Sequence, residues 1–325
     1  MCRPTNRQQG ITLVELMVAL AIGSFLMIGA VQIYNQSRQA FVINESIARV
    51  QETAQFAMDI IESDVRMASN WGRTSRALTI VGRSVDGNAN PTSLDIPTDC
   101  GAAWVLNLSL PVDGVNNTYN LGCAADGTAM VNSDVLTVRR ASIAESATPL
   151  VNGSLKIQST RTQGEMFTGT TVPAALATAD AQTHDLLVSS YYVTTSSDLI
   201  PGVPTLRRKT LQMDGGSLEV VDQEVAPGVE NLQVQFGVDV DDDNSVDRYV
   251  NPSAASIYDP ASVNYIAGAR VITARIWLVV RGTTIEVGIE DNVDYEPGDR
   301  DLGVQNDSFR RMMVSKTILL RNARS

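Results

Sequence analysis

The sequence has 325 residues, 44% of them hydrophobic, and a formal charge of −11. So acidic a chain is excluded as a general nucleic-acid coat, and the single histidine, His184, excludes a multi-histidine metal site. Walker A, dinucleotide-glycine and Cys-x-x-Cys patterns do not occur, and no carboxylate pair stands out as an acid–base couple, so no enzymatic activity is expected.

Residues 1–10 read as a short polar leader carrying Arg3 and Arg7 and ending in Gly10. A mainly apolar stretch follows from Ile11 to Val31, long enough to cross a bilayer as a helix and broken by one acid, Glu15. A secretory signal places its small-residue cut site after the apolar region. Here the small residue comes before it, so a cut at Gly10 keeps the apolar segment in the mature chain. The basic leader holds that end on the cytoplasmic side and sends the remainder outward. An acid within a membrane helix costs about 2.5–3.5 kcal/mol on insertion scales and calls for a partner. Cleavage creates one, the α-amino group of Ile11, which a neighbouring subunit can present to Glu15. A plain signal anchor whose acid has no role is the alternative.

This arrangement resembles the class III signal and N-terminal helix of type IV pilins and type II secretion pseudopilins. Their pattern is a basic leader ending in Gly, an aromatic or apolar first residue, and Glu at the fifth mature position. Gly10, Ile11 and Glu15 fill those places, with Ile11 where Phe is commoner. The resemblance implies cleavage and N-methylation by a prepilin peptidase at Gly10 and Ile11, and an assembly role for Glu15.

Helical periodicity continues beyond the apolar stretch. Ile43, Ile47, Val50, Ala54, Ala57, Ile61 and Val65 recur at three- and four-residue spacing, so one helix is predicted from about 11 to about 69, stopping at Asn70-Trp71-Gly72. Its first half is apolar all round and needs lipid or its own kind. Its second half is amphipathic and suits packing on a globular domain. Ala19, Gly23 and Ala30 permit close helix approach or merely suit a membrane helix.

Cys2 leaves with the leader, and Cys100 and Cys123 remain in an outward, oxidising compartment. A disulfide is expected, contributing roughly 3 kcal/mol in the entropy model. Metal binding is the weaker reading, because further soft ligands are lacking. After Gly72 the period changes to two. Strands are predicted at 77–81, 135–138, 186–193, 232–236, 272–280 and 313–320, with the 272–280 strand apolar on one face and open to solvent on the other. Segments 84–92, 112–133 and 141–183 read as loops with short edge strands. The predicted fold is α+β: leader 1–10, a membrane and assembly helix over 11–70, and a β-rich, mainly antiparallel head over 71–325.

Several blocks resemble the PilW family of minor pilins: Tyr191-Tyr192-Val193, Pro204-Thr205-Leu206-Arg207-Arg208, the run Val229 to Asp239, the run Ala274 to Arg281, and the tail from Phe309 to Asn322. The resemblance implies a non-enzymatic subunit of the inner membrane with a periplasmic head. It would join other minor pilins and the major pilin to prime assembly, and would reach the pilus tip at the cell surface. A J-like type II secretion pseudopilin is the nearest alternative, and a tip-displayed adhesin or DNA-binding module another, although no nucleic acid is expected as partner.

The sharpest chemical motif is the run from Asp239 to Asp247. Asp239, Asp241, Asp243, Ser245 and Asp247 place oxygens at alternate positions, as in the first half of a calcium loop, with Asn244 at the left-handed turn position. The bidentate Glu of position twelve is missing, and Val250 stands there. A structural Ca2+ site and a solvated hairpin tip both fit. A second acidic run, Asp291, Asp294, Glu296, Asp299 and Asp301, reads as a solvated loop, and His184 as an ordinary strand-edge residue. For Arg207-Arg208-Lys209 and Arg310-Arg311, alternation between strand faces is a better account than DNA capture.

Overall fold

The computed structural model describes residues 10–84, 94, 96–258, 260–286 and 288–324. The leader with Arg3 and Arg7, and most of the predicted loop 84–92, lie outside the described residues. The chain divides into two units, residues 1–49 and 50–325, and helix α1 (Leu13–Arg66) runs through both.

In the first unit α1 is long and apolar enough to cross a membrane, and its side chains are unburied. Leu13, Phe25, Leu26 and Met27 are among the exposed apolar residues. Ile43, placed on the amphipathic stripe by the sequence, is exposed too, so the packed stripe begins only at Val50.

In the second unit the rest of α1 buries Val50, Ala54, Ala57, Met58, Ile61, Asp64 and Val65 along one face. The helix closes earlier than predicted. The Met67 N–H donates to the Asp64 carbonyl and the Ala68 N–H to that of Val65, which tightens the last turn, and Ser69 takes a left-handed φ of 63°. Gly72, within the predicted stop Asn70-Trp71-Gly72, lies beyond the helix end and serves a close approach instead. A Cβ there would lie 2.6 Å from Ser159 Oγ and 2.7 Å from His184 Cδ2.

Two sheets follow. The first contains β1 (Ile80–Val81), β2 (Val112–Val115), β3 (Val135–Ala141), β4 (Lys156–Ser159), β5 (Gly164–Phe167), β6 (Gln182–Thr194), β7 (Thr205–Asp214) and β8 (Ser217–Pro227). The second contains β9 (Val229–Asp239), β10 (Arg248–Val250), β11 (Arg270–Arg281) and β12 (Arg311–Leu319), in the order β10-β9-β11-β12. All pairings are antiparallel except β1 with β5. Long β6 organises the first sheet. Its early residues pair β4, its later residues pair β7, and β3 runs along its other side.

One core lies among the buried face of α1, the first sheet (Leu136, Tyr191, Leu206) and the second sheet (Leu232, Phe236, Ile276, Leu278). The other gathers Trp71, Ile80, Leu155, Ile157 and Val188 with Trp104 of the short helix α2 (Ala102–Leu106). Trp104 Nε1 donates to Ser190 Oγ at 2.8 Å. The fold is thus α+β, as predicted.

The differences from the predicted strands have local causes. Residues 77–79 form a 3-10 turn, because the N–H and hydroxyl of Thr79 both bond the Arg76 carbonyl, and only Ile80–Val81 extends. Ile272, Ala274, Ile276, Leu278 and Val280 are buried as expected, but the opposite face of β11 is not open. The segment between β11 and β12 folds back over it, with Gly298 against Gln233 and Trp277, and Val279 is buried. That segment also overturns the reading of Asp291 as solvated: it is buried and ion-paired to Arg311. His184 is no strand-edge residue. It is buried in β6 opposite Ile157, with Nδ1 2.9 Å from the Ser142 carbonyl oxygen.

Candidate functional site

The N-terminal candidates sit on the first turn of α1. Thr12 is the residue before the helix and Glu15 the third within it, a Thr-x-x-Glu capping box. The Thr12 N–H and hydroxyl donate to Glu15 Oε2 at 3.1 and 3.0 Å, and the Glu15 N–H donates to Thr12 Oγ1 at 3.3 Å. Two orphan N–H groups of the helix start are thereby satisfied, and Glu15 is held at a fixed place on the turn. Gly10 and Ile11 are exposed just ahead of it. The capping role of Thr12 was missed from sequence, although its spacing to Glu15 was readable.

The Asp-rich loop joins β9 to β10. One carboxylate oxygen each from Asp239, Asp241 and Asp247 lie within 4.8 Å of one another. Asp239 Oδ1 accepts the Asp242 N–H at 2.7 Å and Oδ2 the Asn244 N–H at 3.0 Å, while Asp247 Oδ2 accepts the Val240 N–H at 2.7 Å. Asp243 turns to Ser245 instead, accepting its N–H at 2.7 Å and its hydroxyl at 2.6 Å. Asp242 and Asn244 take φ of 67° and 66°, the geometry foreseen for Asn244. A cation from the chain, Arg270, pairs with Asp239 at 3.0 Å and with Asp242. Burial raises the Asp239 carboxyl, but the Asn244 N–H, the Arg270 guanidinium and the Asp242 N–H outweigh it and hold the group below its ordinary range. Arg270 was not singled out from sequence, since it stands far from the acids along the chain.

Cys100 and Cys123 form a disulfide that closes the loop containing α2. Most donors of the basic clusters are met within the head, although Arg208 Nε is buried without a partner among the described residues. Arg207 is buried and meets Asp198 at 2.9 Å, Asp222 at 2.8 Å and Asp126, while Lys209 meets Asp222 at 2.6 Å. Arg311 is bound by Glu230, Asp291 and Asp307 at 2.6, 3.1 and 2.6 Å, and Arg310 by Glu286 at 3.0 Å. Burial lowers the Arg311 pKa, but the carboxylates around it overcome this and raise it.

Residues 5–31 match the prokaryotic N-terminal methylation motif, and residues 190–322 match Type IV Pilus-assembly protein W. These matches support a PilW-like type IV minor pilin. The first match takes in Gly10, Ile11 and Glu15, and the second begins within β6 and takes in the Asp-rich loop and the whole second sheet. No curated protein and no solved structure matches. The PilW family is a structural, assembly family, and the membrane-capable helix of this pilin fits anchoring and incorporation into a pilus.

Proposed function

We propose that this pilin is an assembly subunit that waits in the inner membrane with its head in the periplasm. It then joins other minor pilins and the major pilin to prime the filament and stand at its tip. The observation that carries the reading is the first unit: an apolar, exposed helix whose one early acid, Glu15, is held at a fixed position. Such a surface needs lipid or sister helices. An N-terminal amine presented by a neighbour after cleavage would neutralise Glu15 and set the axial stagger between subunits.

The test combines intact mass with motility. In cells with active prepilin peptidase, both wild type and Glu15→Ala should be recovered starting at Ile11, while Glu15→Ala loses surface pili and twitching. Normal pili in Glu15→Ala would overturn the pairing. Loss of exoprotein secretion with normal pili would move the chain to the pseudopilins.

A structural Ca2+ held by Asp239, Asp241 and Asp247 is proposed as a second feature of the head. Three carboxylates gathered at a loop tip repel one another, and a hard cation with oxygen ligands would relieve this. Calcium should raise the melting temperature of the wild type. A rise left unchanged by Asp241→Ala with Asp247→Ala would refute the site.

A further inference from the structure

The second sheet ends in β12, which pairs with β11 and with no other strand among the described residues. The Leu320 N–H donates to the Ile272 carbonyl at 2.9 Å and the Gly282 N–H to the Arg310 carbonyl at 2.8 Å. Both bonds lie on the β11–β12 register, and bonding alternates along an antiparallel pair. The even-numbered residues of β12 therefore bond β11. The N–H and C=O groups of Met313, Ser315, Thr317 and Leu319 point outward, and they meet no partner among the described residues. The side chains along this edge are open as well. Met313 and Leu319 are 41% and 39% exposed, and Ser315, Lys316 and Thr317 are also exposed.

An open row of backbone groups is a template for another strand, and such edges are commonly blunted by proline, a bulge or unpaired charge. β12 has none of these. It contains no Pro, and its register with β11 is unbroken. Lys316 is paired with Glu62 of α1, and Arg311 is held by Glu230, Asp291 and Asp307. The long edge of the first sheet, β8, is built the other way. Its register with β7 shifts between Leu206 and Arg207, it carries Glu219, Asp222 and Glu224, and it ends in Pro227.

The order of residues in β12 shows what fits its edge. Met313-Val314-Ser315-Lys316-Thr317-Ile318-Leu319 reads alike in both directions about Lys316: Met answers to Leu, Val to Ile and Ser to Thr. Two copies laid antiparallel about that point set Met313 against Leu319 and Ser315 against Thr317 as hydrogen-bonded pairs. Val314 then faces Ile318 between them. Apolar pairs and Thr–Ser pairs across strands both stabilise a sheet. The one like-charged pair, Lys316 with Lys316, falls at the centre, where each ammonium already has its own Glu62. A patch that meets itself in this way is the isologous contact that a two-fold axis generates.

We propose that β12 is a homotypic docking edge, to which a second copy of this chain adds its own β12 antiparallel, joining the two second sheets into one. The pairing has a direction. α1 runs alongside β12 in the same sense, since Val50 lies by Gly282, Glu62 by Lys316 and Ala68 by Asn322. A two-fold through Lys316, normal to the sheet, sets the two helices antiparallel from Val50 onward. The contact thus suits heads carried on two separate membranes or filaments, not neighbours in one. It is independent of the helix-to-helix assembly contact.

The test is the oligomeric state of the full chain in detergent, with Cys2→Ser so that no thiol is free beside the Cys100–Cys123 bridge. Density-matched sedimentation should show a concentration-dependent dimer. Thr317→Pro removes one outward N–H and no bond to β11, so it should leave a monomer with the melting temperature of the parent. Lys316→Cys reads the register. Residues facing one another at a non-hydrogen-bonded position have Cα atoms about 4.5 Å apart, within reach of a disulfide. Mild oxidation should therefore turn Lys316→Cys, and not Glu219→Cys on β8, into a reducible dimer. A chain monomeric at every concentration would leave the edge to some other subunit and overturn the proposal. So would a dimer that persists in Thr317→Pro, which would place the contact in the helices, or a Lys316→Cys chain that does not link. Where Thr317→Pro lowers the melting temperature, the cross-link alone decides.

Discussion

Asp64 on α1 and Arg140 on β3 face one another at 2.7 Å, and the Tyr191 hydroxyl donates to the other Asp64 oxygen at 2.6 Å. Asp64 lies on the buried face of the helix, so this is the polar point at which α1 is registered on the first sheet. Burial and the nearby Asp64 carboxylate push the Tyr191 pKa upward, which keeps its proton available for that bond.

Removing one partner leaves the other group buried and unpaired. Asp64→Ala is expected to destabilise the folded head by about 3 kcal/mol. Replacing the whole set, with Asp64→Leu, Arg140→Leu and Tyr191→Phe together, should recover most of that loss, since apolar groups of similar volume often substitute for a buried pair at little cost. Urea denaturation of the full chain in detergent, followed by tryptophan fluorescence, measures both. Equal losses in the single and the triple variant would show that the site acts through packing alone.

The disulfide gives a second expectation. The Cys100–Cys123 bridge closes a loop with a sequence separation of 23. In the chain-entropy account a loop of this size contributes roughly 3 kcal/mol. Cys100→Ser with Cys123→Ser should therefore lower the denaturation midpoint. Because the loop carries Trp104 into the second core, the fluorescence of the folded state should shift as well. A midpoint unchanged on reduction would mean that packing of α2 alone holds the loop.

Asp134 sets a pH dependence. Burial pushes its carboxyl up to about 7, against the N–H groups of Asn117 and Val234 that favour the charged form. An unfolded Asp titrates at about 3.9. Between those values the folded state binds more protons than the unfolded state, so the contribution of Asp134 to stability falls as pH rises from about 4 to about 7 and is flat above. Asp134→Asn should remove that slope, while losing stability at pH 4 because one backbone N–H then faces an amide nitrogen. The difference between wild-type and variant melting temperatures across pH 4–8 isolates the effect. A difference constant over that range would exclude Asp134 as its source.

Much of this fold was legible because it is periodic. The three-and-four spacing of Val50, Ala54, Ala57, Ile61 and Val65 marks the packed stripe, and the alternation of 272–280 marks the face of β11 that is buried. The β7–β8 hairpin was missed although its signal was present. Gly215-Gly216, at φ 56° and 94°, is a two-residue turn flanked by alternating residues. The cover over β11 was hidden for another reason. Asp291 and Arg311 are far apart in sequence, and an acid-rich segment reads as solvated until its buried cation is known. The same holds for Asp239 with Arg270. Local patterns mark the elements, and long-range charge pairs decide which loops fold onto them.

Thr12 offers the last expectation, and it separates the two tasks of Glu15. In the subunit by itself the acid completes a capping box with Thr12; in the proposed filament it meets the amine of a neighbour. Thr12→Val keeps the charge and removes the hydroxyl that both donates to Glu15 and accepts its N–H. Loss of an N-cap of this kind costs about 1 kcal/mol, which frays the first turn without abolishing the helix. Thr12→Val should therefore leave cleavage at Gly10 intact and reduce twitching only partially, whereas Glu15→Ala abolishes it. The pair Thr12→Ser, which retains a hydroxyl at the same place, should behave as wild type. If Thr12→Val were as severe as Glu15→Ala, fixing the first turn rather than neutralising a neighbour's amine would be the main task of the acid, and a surface-pilus count alongside intact mass would reveal it.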